Sequence, residues 1–222
     1  MADRGTAEPA PGEHLVRHAP IDRIYHWLMA ASVLVLVGTG FLPVIGVKFS
    51  WVVPHWIAGL ILILVVLFHI AWAVRWQKLK QMGVGPRDIG DLLATFRAVS
   101  GRSDAPPPKS GKYLLAQRLY HHAIAVTVLA TCVTGGLMLV KQDTPIWKRD
   151  PYWLSDGNWG IIYVVHGLAS IAVLSLILIH IYFAIRPEKL FYTRSMIKGW
   201  ITRREFEAHH DRDRWNADKT AP

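Results

Sequence analysis

The sequence predicts an all-α membrane protein, a four-transmembrane-helix bundle with both termini cytoplasmic. The chain of 222 residues is 52% hydrophobic, and its apolar residues are clustered into four long runs. Each run is long enough to cross a hydrocarbon core, which takes about 20 residues of helix. The basic residues are distributed unevenly among the segments that connect the runs. Together these observations predict both the fold class and its orientation.

The four apolar runs carry few charges, and in lipid each has to be helical because no water is present to pair with its backbone groups. The predicted spans are residues 24–45, 52–76, 119–140 and 161–185. The first run is too long for a signal peptide and lacks a small-residue cleavage site after it. We therefore expect it to remain as the first span.

Charge distribution gives the expected orientation. The formal net charge is +9, and 21 of the 25 Lys and Arg lie before span one, after span four, or between Arg75 at the inner end of span two and the start of span three. The positive-inside rule places these segments in the cytoplasm. Topology and anionic lipid then explain the basic excess, and no nucleic-acid partner is expected.

Three regions follow from these patterns. Residues 1–20 are rich in Ala, Pro and Gly and are predicted to form a mobile cytoplasmic arm. Residues 21–186 form the four-helix domain. Residues 187–222 interleave basic and apolar side chains, as in a basic amphipathic cytoplasmic tail along the membrane face. The histidines of the two terminal regions are predicted to be solvated: His14, His18, His209 and His210.

The loop between spans two and three contains one helical pattern. Asp88 precedes an apolar stripe at helical spacing and is a suitable capping residue. Such a helix would face the membrane, a partner, or the protein's own cytoplasmic side, and the pattern leaves these alternatives open.

Two spans carry histidine pairs with identical spacing. His55 and His69 in span two, and His166 and His180 in span four, are each 14 residues apart. On a helix this spacing is about 21 Å of rise and nearly a whole number of turns. Both rings of a pair therefore leave nearly the same face at two depths. Because spans two and four run in the same direction, His55 is level with His166 and His69 is level with His180.

Ionisable residues inside a membrane span indicate function, and histidines at two matched depths are typical of two b-type haems with paired axial imidazoles. At the outer depth the pair is His55 with His166. At the inner depth the partner of His180 stays open on spacing alone: His26, His69, His121 or His122.

Other redox centres fit the sequence poorly. One cysteine, Cys132, cannot hold an iron–sulfur cluster, and no CxxCH motif is present for covalent haem. Zinc is disfavoured because no compact cluster of carboxylate, Cys and His appears. A proton relay remains an alternative or an additional role for the histidines, and a non-redox anchor or transporter is a further alternative.

Several short motifs resemble a known family. The chain contains IDRIYHW, PHWIAG, GKYLLAQR, VHGLAS, LILIHIYFA and SMIKGWITRREFEAHH. These motifs resemble the cytochrome b gamma subunit of respiratory membrane-bound formate dehydrogenases, from about Ile21 to about Trp215. The cytochrome b subunits of nickel–iron hydrogenases and the bacterial cytochromes b561 share the four-helix plan more loosely.

The resemblance implies a ligand set for two haem b groups. His26 and His180 would bind the inner haem iron, and His55 and His166 the outer one. His69 matches no ligand of the family, and we expect it near the inner haem edge, a propionate or a quinone.

The resemblance also implies a quinone site beside the inner haem. The residues expected to contribute are Gln117, Arg118, His121 and His69, next to His180. The family is expected to have Asn after GKY, and Leu114 stands there instead. Gln117 or His121 could supply the hydrogen bond that this Asn would make.

The resemblance finally implies a place in a respiratory complex of the bacterial inner membrane. A catalytic alpha subunit oxidises formate outside, and an iron–sulfur beta subunit passes electrons to the outer haem. The inner haem then reduces quinone near the cytoplasmic face. The chain would be the quinone-reducing electron-transfer subunit and would not itself oxidise formate. The alternatives are a cytochrome b subunit of a nickel–iron hydrogenase or another periplasmic oxidoreductase, and a stand-alone cytochrome b561-like quinone oxidoreductase.

Overall fold

Four long helices occupy the apolar segments in the computed structural model, which describes residues 13–77 and 79–215. They are α1 (Pro20–Phe41), α2 (Val52–Trp76), α4 (Leu115–Met138) and α5 (Asp156–Ile185). The shorter elements are α3 (Pro86–Val99), α6 (Leu190–Lys198), α7 (Arg203–His209), β1 (His14–Val16) and β2 (Trp200–Thr202). One-turn 3-10 helices lie at Leu79–Met82, Leu139–Lys141 and Pro187–Lys189.

The four long helices are long and apolar enough to cross a membrane. Leucines in the middle of these helices are widely exposed: Leu34 is 59%, Leu64 59% and Leu178 60% exposed. Apolar side chains exposed along whole helices suit contact with lipid rather than water. The predicted four-helix membrane fold is confirmed.

The helix ends follow from local chemistry. α1 begins at Pro20. Proline lacks an N–H, but the first N–H groups of a helix have no partner within it, so no helical hydrogen bond is lost. The Asp22 carboxylate accepts a hydrogen bond from the Ala19 N–H at 3.3 Å. α1 ends at Phe41 rather than at residue 45, because Pro43 disfavours helical backbone before it. α4 and α5 begin four and five residues before the predicted spans, since polar turns extend their apolar parts.

The chain divides into two compact units. The spanning unit comprises residues 24–79 and 119–183, and the terminal unit comprises the described parts of residues 1–23, 80–118 and 184–222. The terminal unit therefore assembles segments that the sequence assigns to an arm, a loop and a tail.

A short antiparallel sheet joins the two ends of the chain in the terminal unit. His14 pairs with Thr202, Leu15 with Ile201 and Val16 with Trp200. The buried side chains around this sheet form one apolar core: Leu15, Ile201, Phe206 and Trp215, with Phe191 packed against them. The Gly199 carbonyl accepts hydrogen bonds from the N–H groups of Arg17 and His18 at 2.8 and 3.0 Å, which extends the pairing beyond β1.

This sheet differs from the predicted mobile arm and amphipathic tail. His14 stacks on Trp200 with ring centroids 3.6 Å apart, and His209 stacks on Phe191 at 4.7 Å. His18 and His210 are buried, so the prediction that these two histidines are solvated was wrong. Strand pairing and aromatic neighbours, which a composition pattern does not reveal, draw these residues inward. Residues 1–12 of the predicted arm, residues 216–222 of the predicted tail and Lys78 lie outside the described residues.

The loop pattern around Asp88 forms α3. The Asp88 carboxylate accepts a hydrogen bond from the Gly85 N–H at 2.8 Å and pairs with Arg118. No residue of α3 is buried. Its apolar stripe is exposed along its length: Ile89, Leu92, Leu93, Phe96 and Val99. The alternative in which this stripe packs onto the protein itself is therefore not the arrangement found.

Arg17 is a buried cation in the terminal unit and is 3% exposed. Its Nη2 donates to the Lys112 carbonyl at 2.7 Å, and its Nη1 lies 3.0 Å from Nε2 of His210. The guanidinium also lies over the rings of Tyr192 and Trp215, 4.7 and 5.2 Å from their centroids. Burial lowers the pKa of Arg17 and lowers the pKa of His210 to about 4. His210 is therefore neutral at physiological pH and accepts from the guanidinium.

Candidate functional site

The spanning unit brings the histidines of different helices together in pairs. His26 of α1 and His180 of α5 face each other with ring centroids 6.3 Å apart and ring planes at 58°. A metal–imidazole nitrogen bond is about 2.0–2.1 Å, so two imidazoles on opposite sides of one metal ion hold their ring centres roughly 6 Å apart. The two side chains are therefore spaced as a pair of axial ligands.

Two aromatic side chains flank this pair. Tyr120 of α4 stacks on His180 with centroids 5.5 Å apart and planes at 20°, and its hydroxyl donates to the Leu176 carbonyl at 3.2 Å. Trp27 meets His26 edge to face at 5.3 Å. These contacts restrict the orientation of both rings.

The outer histidines occupy the other ends of α2 and α5. His55 lies in the first turn of α2, and His166 lies in the first half of α5. Each ring is held by a threonine of a neighbouring helix: Thr39 Oγ1 lies 2.8 Å from Nδ1 of His55, and Thr134 Oγ1 lies 2.9 Å from Nδ1 of His166. The Nε2 atom of each ring is the nitrogen left for a metal.

His69 lies beside His121. The His69 and His121 rings are 6.3 Å apart and nearly perpendicular, at 76°. Tyr25 packs against His69 at 4.6 Å, and the Gln77 amide donates to the Tyr25 hydroxyl at 2.9 Å. His69 and His121 thus form a second contact between imidazoles, from α2 to α4, at the same ring separation as His26 and His180.

Two of the residues expected at a quinone site are engaged locally in the terminal unit. The side-chain carbonyl oxygen of Gln117 accepts a hydrogen bond from the N–H of Leu114, the residue just before α4, at 3.0 Å. Arg118 forms an ion pair with Asp88, and both side chains are mostly buried. These contacts give Gln117 and Arg118 structural roles, and their part in quinone binding stays a prediction.

The donor set of the spanning unit fits haem better than a metal held by protein alone. Among residues 13–77 and 79–215, no three His, Cys, Asp or Glu side chains converge on one point. A zinc site requires about four protein or water ligands, whereas haem iron takes only two from the protein. Pairs of imidazoles are what this arrangement offers.

Sequence reasoning missed the contacts that hold the outer histidines. Neither Thr39 nor Thr134 was identified there as a partner of a histidine. The signal lies in a repeated dipeptide, since Thr-Gly occurs at residues 39–40 and again at 134–135, near the outer ends of spans one and three.

Comparison with known proteins agrees with these features. The family described as prokaryotic cytochrome b561 matches the chain over residues 17–199. No curated protein matches the chain. The match covers all four long helices and most of the chain. The chain therefore belongs to the prokaryotic cytochrome b561 family, as a multi-pass inner-membrane b-type cytochrome that binds haem b and transfers electrons.

Proposed function

We propose that the protein carries electrons across the membrane between two haems and delivers them to quinone. The observation that supports this best is the arrangement of α5, which contributes one histidine to each of two levels. His166 faces the level of His55, and His180 faces His26 at 6.3 Å. The 14 residues between the α5 histidines correspond to about 21 Å of helix rise.

The chain's own residues define the chemistry. Haem b supplies reversible one-electron transfer through its iron when bound. Two histidines at each level would occupy both axial positions and leave no open position for oxygen or substrate. Such ligation favours electron transfer over oxygen activation. The rings of His26 and His180 are additionally fixed by Trp27 and Tyr120.

The quinone would bind at the inner level, near the cytoplasmic face predicted by the positive-inside rule. Reducing a quinone to a quinol takes up two electrons and two protons. His69 and His121 lie together at that end of α2 and α4, with Tyr25 against His69. Imidazoles and a phenol are suitable hydrogen-bond donors for a quinone carbonyl. We assign these residues, rather than Gln117 and Arg118, the direct contacts.

The electron donor we favour is a periplasmic formate dehydrogenase. This choice is supported by the motifs around His26, His55 and His166 and by the IKGWITRR tail, which resemble the gamma subunit of that complex. The partners would be the iron–sulfur beta subunit and, through it, the catalytic alpha subunit. A hydrogenase, another periplasmic oxidoreductase or a stand-alone quinone oxidoreductase are the alternative donors and roles.

Haem content per chain tests the cofactor assignment. A pyridine haemochrome assay of the purified protein should give two haem b per polypeptide. His166→Ala should remove the outer haem and His26→Ala the inner one, each leaving the other spectrum intact. His122→Ala is the matched control. It removes a histidine of a spanning helix to which no haem is assigned, so both haems should remain. Loss of a haem with His69→Ala but not with His26→Ala would contradict the inner pairing.

Donor specificity requires a separate experiment. In membranes containing the protein, addition of formate should reduce the haems, so that the b-type α-band appears. Mild detergent should extract the protein together with the iron–sulfur and catalytic subunits. Reduction by hydrogen instead would identify a hydrogenase as the donor. Purification without any partner, with direct quinol-dependent reduction, would favour the stand-alone alternative.

A further inference from the structure

The helices α1 and α4 present the same dipeptide to the two outer histidines. On α1, Thr39 contacts His55 and is followed by Gly40, and on α4, Thr134 contacts His166 and is followed by Gly135. Both threonines are buried, each 7% exposed. The same contact thus occurs twice, on α1 toward α2 and on α4 toward α5.

The hydroxyl protons are already committed within the helices. Thr39 Oγ1 lies 2.6 Å from the Val35 carbonyl, and Thr134 Oγ1 lies 2.6 Å from the Ala130 carbonyl. A carbonyl only accepts, so each hydroxyl donates backward along its own helix. The hydroxyl oxygen must then accept from the histidine, which places the imidazole proton on Nδ1. Nε2 is left with a free lone pair directed away from the threonine.

The glycines allow the rings to approach the helix backbone. A Cβ atom at residue 135 would lie 3.2 Å from Cε1 of His166, tighter than most contacts in folded proteins. At residue 40 it would lie 3.4 Å from Cε1 of His55. At the neighbouring glycines an added Cβ would not meet a histidine. At residue 38 it would have no such neighbour within 4 Å, and at residue 136 the nearest atom would be Ile63 Cδ1 at 3.7 Å. A Cβ would therefore crowd the imidazole at residue 135, whereas at residue 40 it would reach the limit of ordinary van der Waals contact.

We propose that Thr39-Gly40 and Thr134-Gly135 are paired positioning elements that set the tautomer and ring orientation of the two outer haem ligands. The inference rests on the proposed ligation of the outer haem by His55 and His166. A metal-bound imidazole that donates its other N–H is a stronger ligand with a fixed ring plane. The threonines therefore strengthen Nε2 as a ligand and stabilise the oxidised iron relative to the reduced iron.

The threonine test uses isosteric substitutions in the full-length protein. Thr39→Val and Thr134→Val each remove one hydroxyl, and loss of such an outer-shell partner weakens metal binding about 10–100-fold. Haem loss to an acceptor protein should accelerate correspondingly for the outer haem. Its midpoint potential should shift to more positive values, and its low-spin EPR signal should change because the ring plane is no longer fixed. Thr39→Ser and Thr134→Ser keep the hydroxyl and should restore all three properties.

Thr127→Val is the matched control. Thr127 donates to the Ala123 and Ile124 carbonyls of the same helix at 3.1 Å, so this substitution removes a similar back-bond without touching an imidazole. It should leave both haems unchanged. The inner haem serves as an internal reference for folding in every variant.

The glycine test is independent of the hydroxyl. Gly135→Ala and Gly40→Ala should perturb the outer haem's EPR signal, with the larger effect at residue 135, whereas Gly136→Ala and Gly38→Ala should not. Unchanged outer-haem potential and EPR signal in both threonine-to-valine variants would overturn the positioning role. That result would leave the ligand assignment intact if His166→Ala still removes the outer haem. Retention of both haems in His166→Ala would instead overturn the proposed function.

Discussion

Acidification should destabilise the terminal unit through His210. The ring is 2% exposed, its Nδ1 lies 2.7 Å from the Gly111 carbonyl, and its Nε2 faces the Arg17 guanidinium at 3.0 Å. Because the carbonyl only accepts, the neutral ring carries its proton on Nδ1 and accepts from Arg17 at Nε2. A second proton would remove that hydrogen bond and place two buried cations in contact.

The direction follows from the two pKa values. Burial, reinforced by Arg17, lowers the pKa of His210 from 6.5 to about 4 in the folded state. Between these values the unfolded chain binds more protons, so stability is fully present above pH 6.5 and falls as the pH drops toward 4. At 1.36 kcal/mol per pKa unit, the whole effect is about 3 kcal/mol.

The other groups near the ring do not reverse this direction. His209 also has a lowered pKa, first through burial, and would act in the same direction. Phe206, Trp215 and Tyr192 contribute ring contacts to His210, and burial raises the pKa of Tyr192. None of these three aromatic groups changes its charge between pH 4 and 7.

Hydrogen exchange measured by mass spectrometry on the full-length protein checks this prediction. After correction for intrinsic exchange, the opening free energy of peptides covering residues 199–209 should fall by about 2 kcal/mol between pH 7.5 and 5. His210→Gln should flatten this dependence, because an amide can donate to the Gly111 carbonyl and accept from Arg17 without titrating. A flat wild-type profile would contradict this role of His210, and so would a slope in His210→Gln as steep as that of the control His209→Gln.

Three further predictions concern the terminal unit. Gly199→Ala should destabilise it by about 1–3 kcal/mol, since Gly199 has φ +92° and a Cβ would lie 3.1 Å from the His18 carbonyl oxygen; faster exchange in β1 and β2 would be the readout. Ile201→Ala removes a side chain that is 0% exposed and should cost about 2–5 kcal/mol, measured by the same exchange. Asp88→Ala removes the hydrogen bond to Gly85 and the ion pair with Arg118. A capping hydrogen bond of this kind stabilises a helix by about 1 kcal/mol. Proteolysis near residue 86 should therefore accelerate, while the haem content stays unchanged.

The spans and the histidine levels could be predicted because each depends on a single periodicity. Twenty apolar residues in a row predict a membrane helix, and a 14-residue spacing places His166 and His180 on one face at two depths. The partner of His180 could not be chosen this way. Which of several inner histidines faces it depends on how the helices rotate against one another, and spacing within one helix does not contain that information.

The terminal unit was missed for a different reason. Its strands have only three residues each, so neither Leu15 nor Ile201 stands in a run long enough to show a period of two. Their pairing is decided by residues at opposite ends of the chain. The burial of His210 was missed because it depends on Arg17, which comes from the other end of the chain, as well as on the rings of Tyr192 and Trp215.

The pairing of β1 with β2 has a consequence for biosynthesis. Leu15 leaves the ribosome before the first span, and its partner Ile201 only after the fourth. The N-terminal strand therefore waits without its partner until every span has been synthesised, and the pairing is a contact of high sequence separation that forms late. A chain truncated before residue 200 would keep the edge of β1 unpaired. Such an unpaired strand edge is a template for association with other chains, and pairing with β2 removes it.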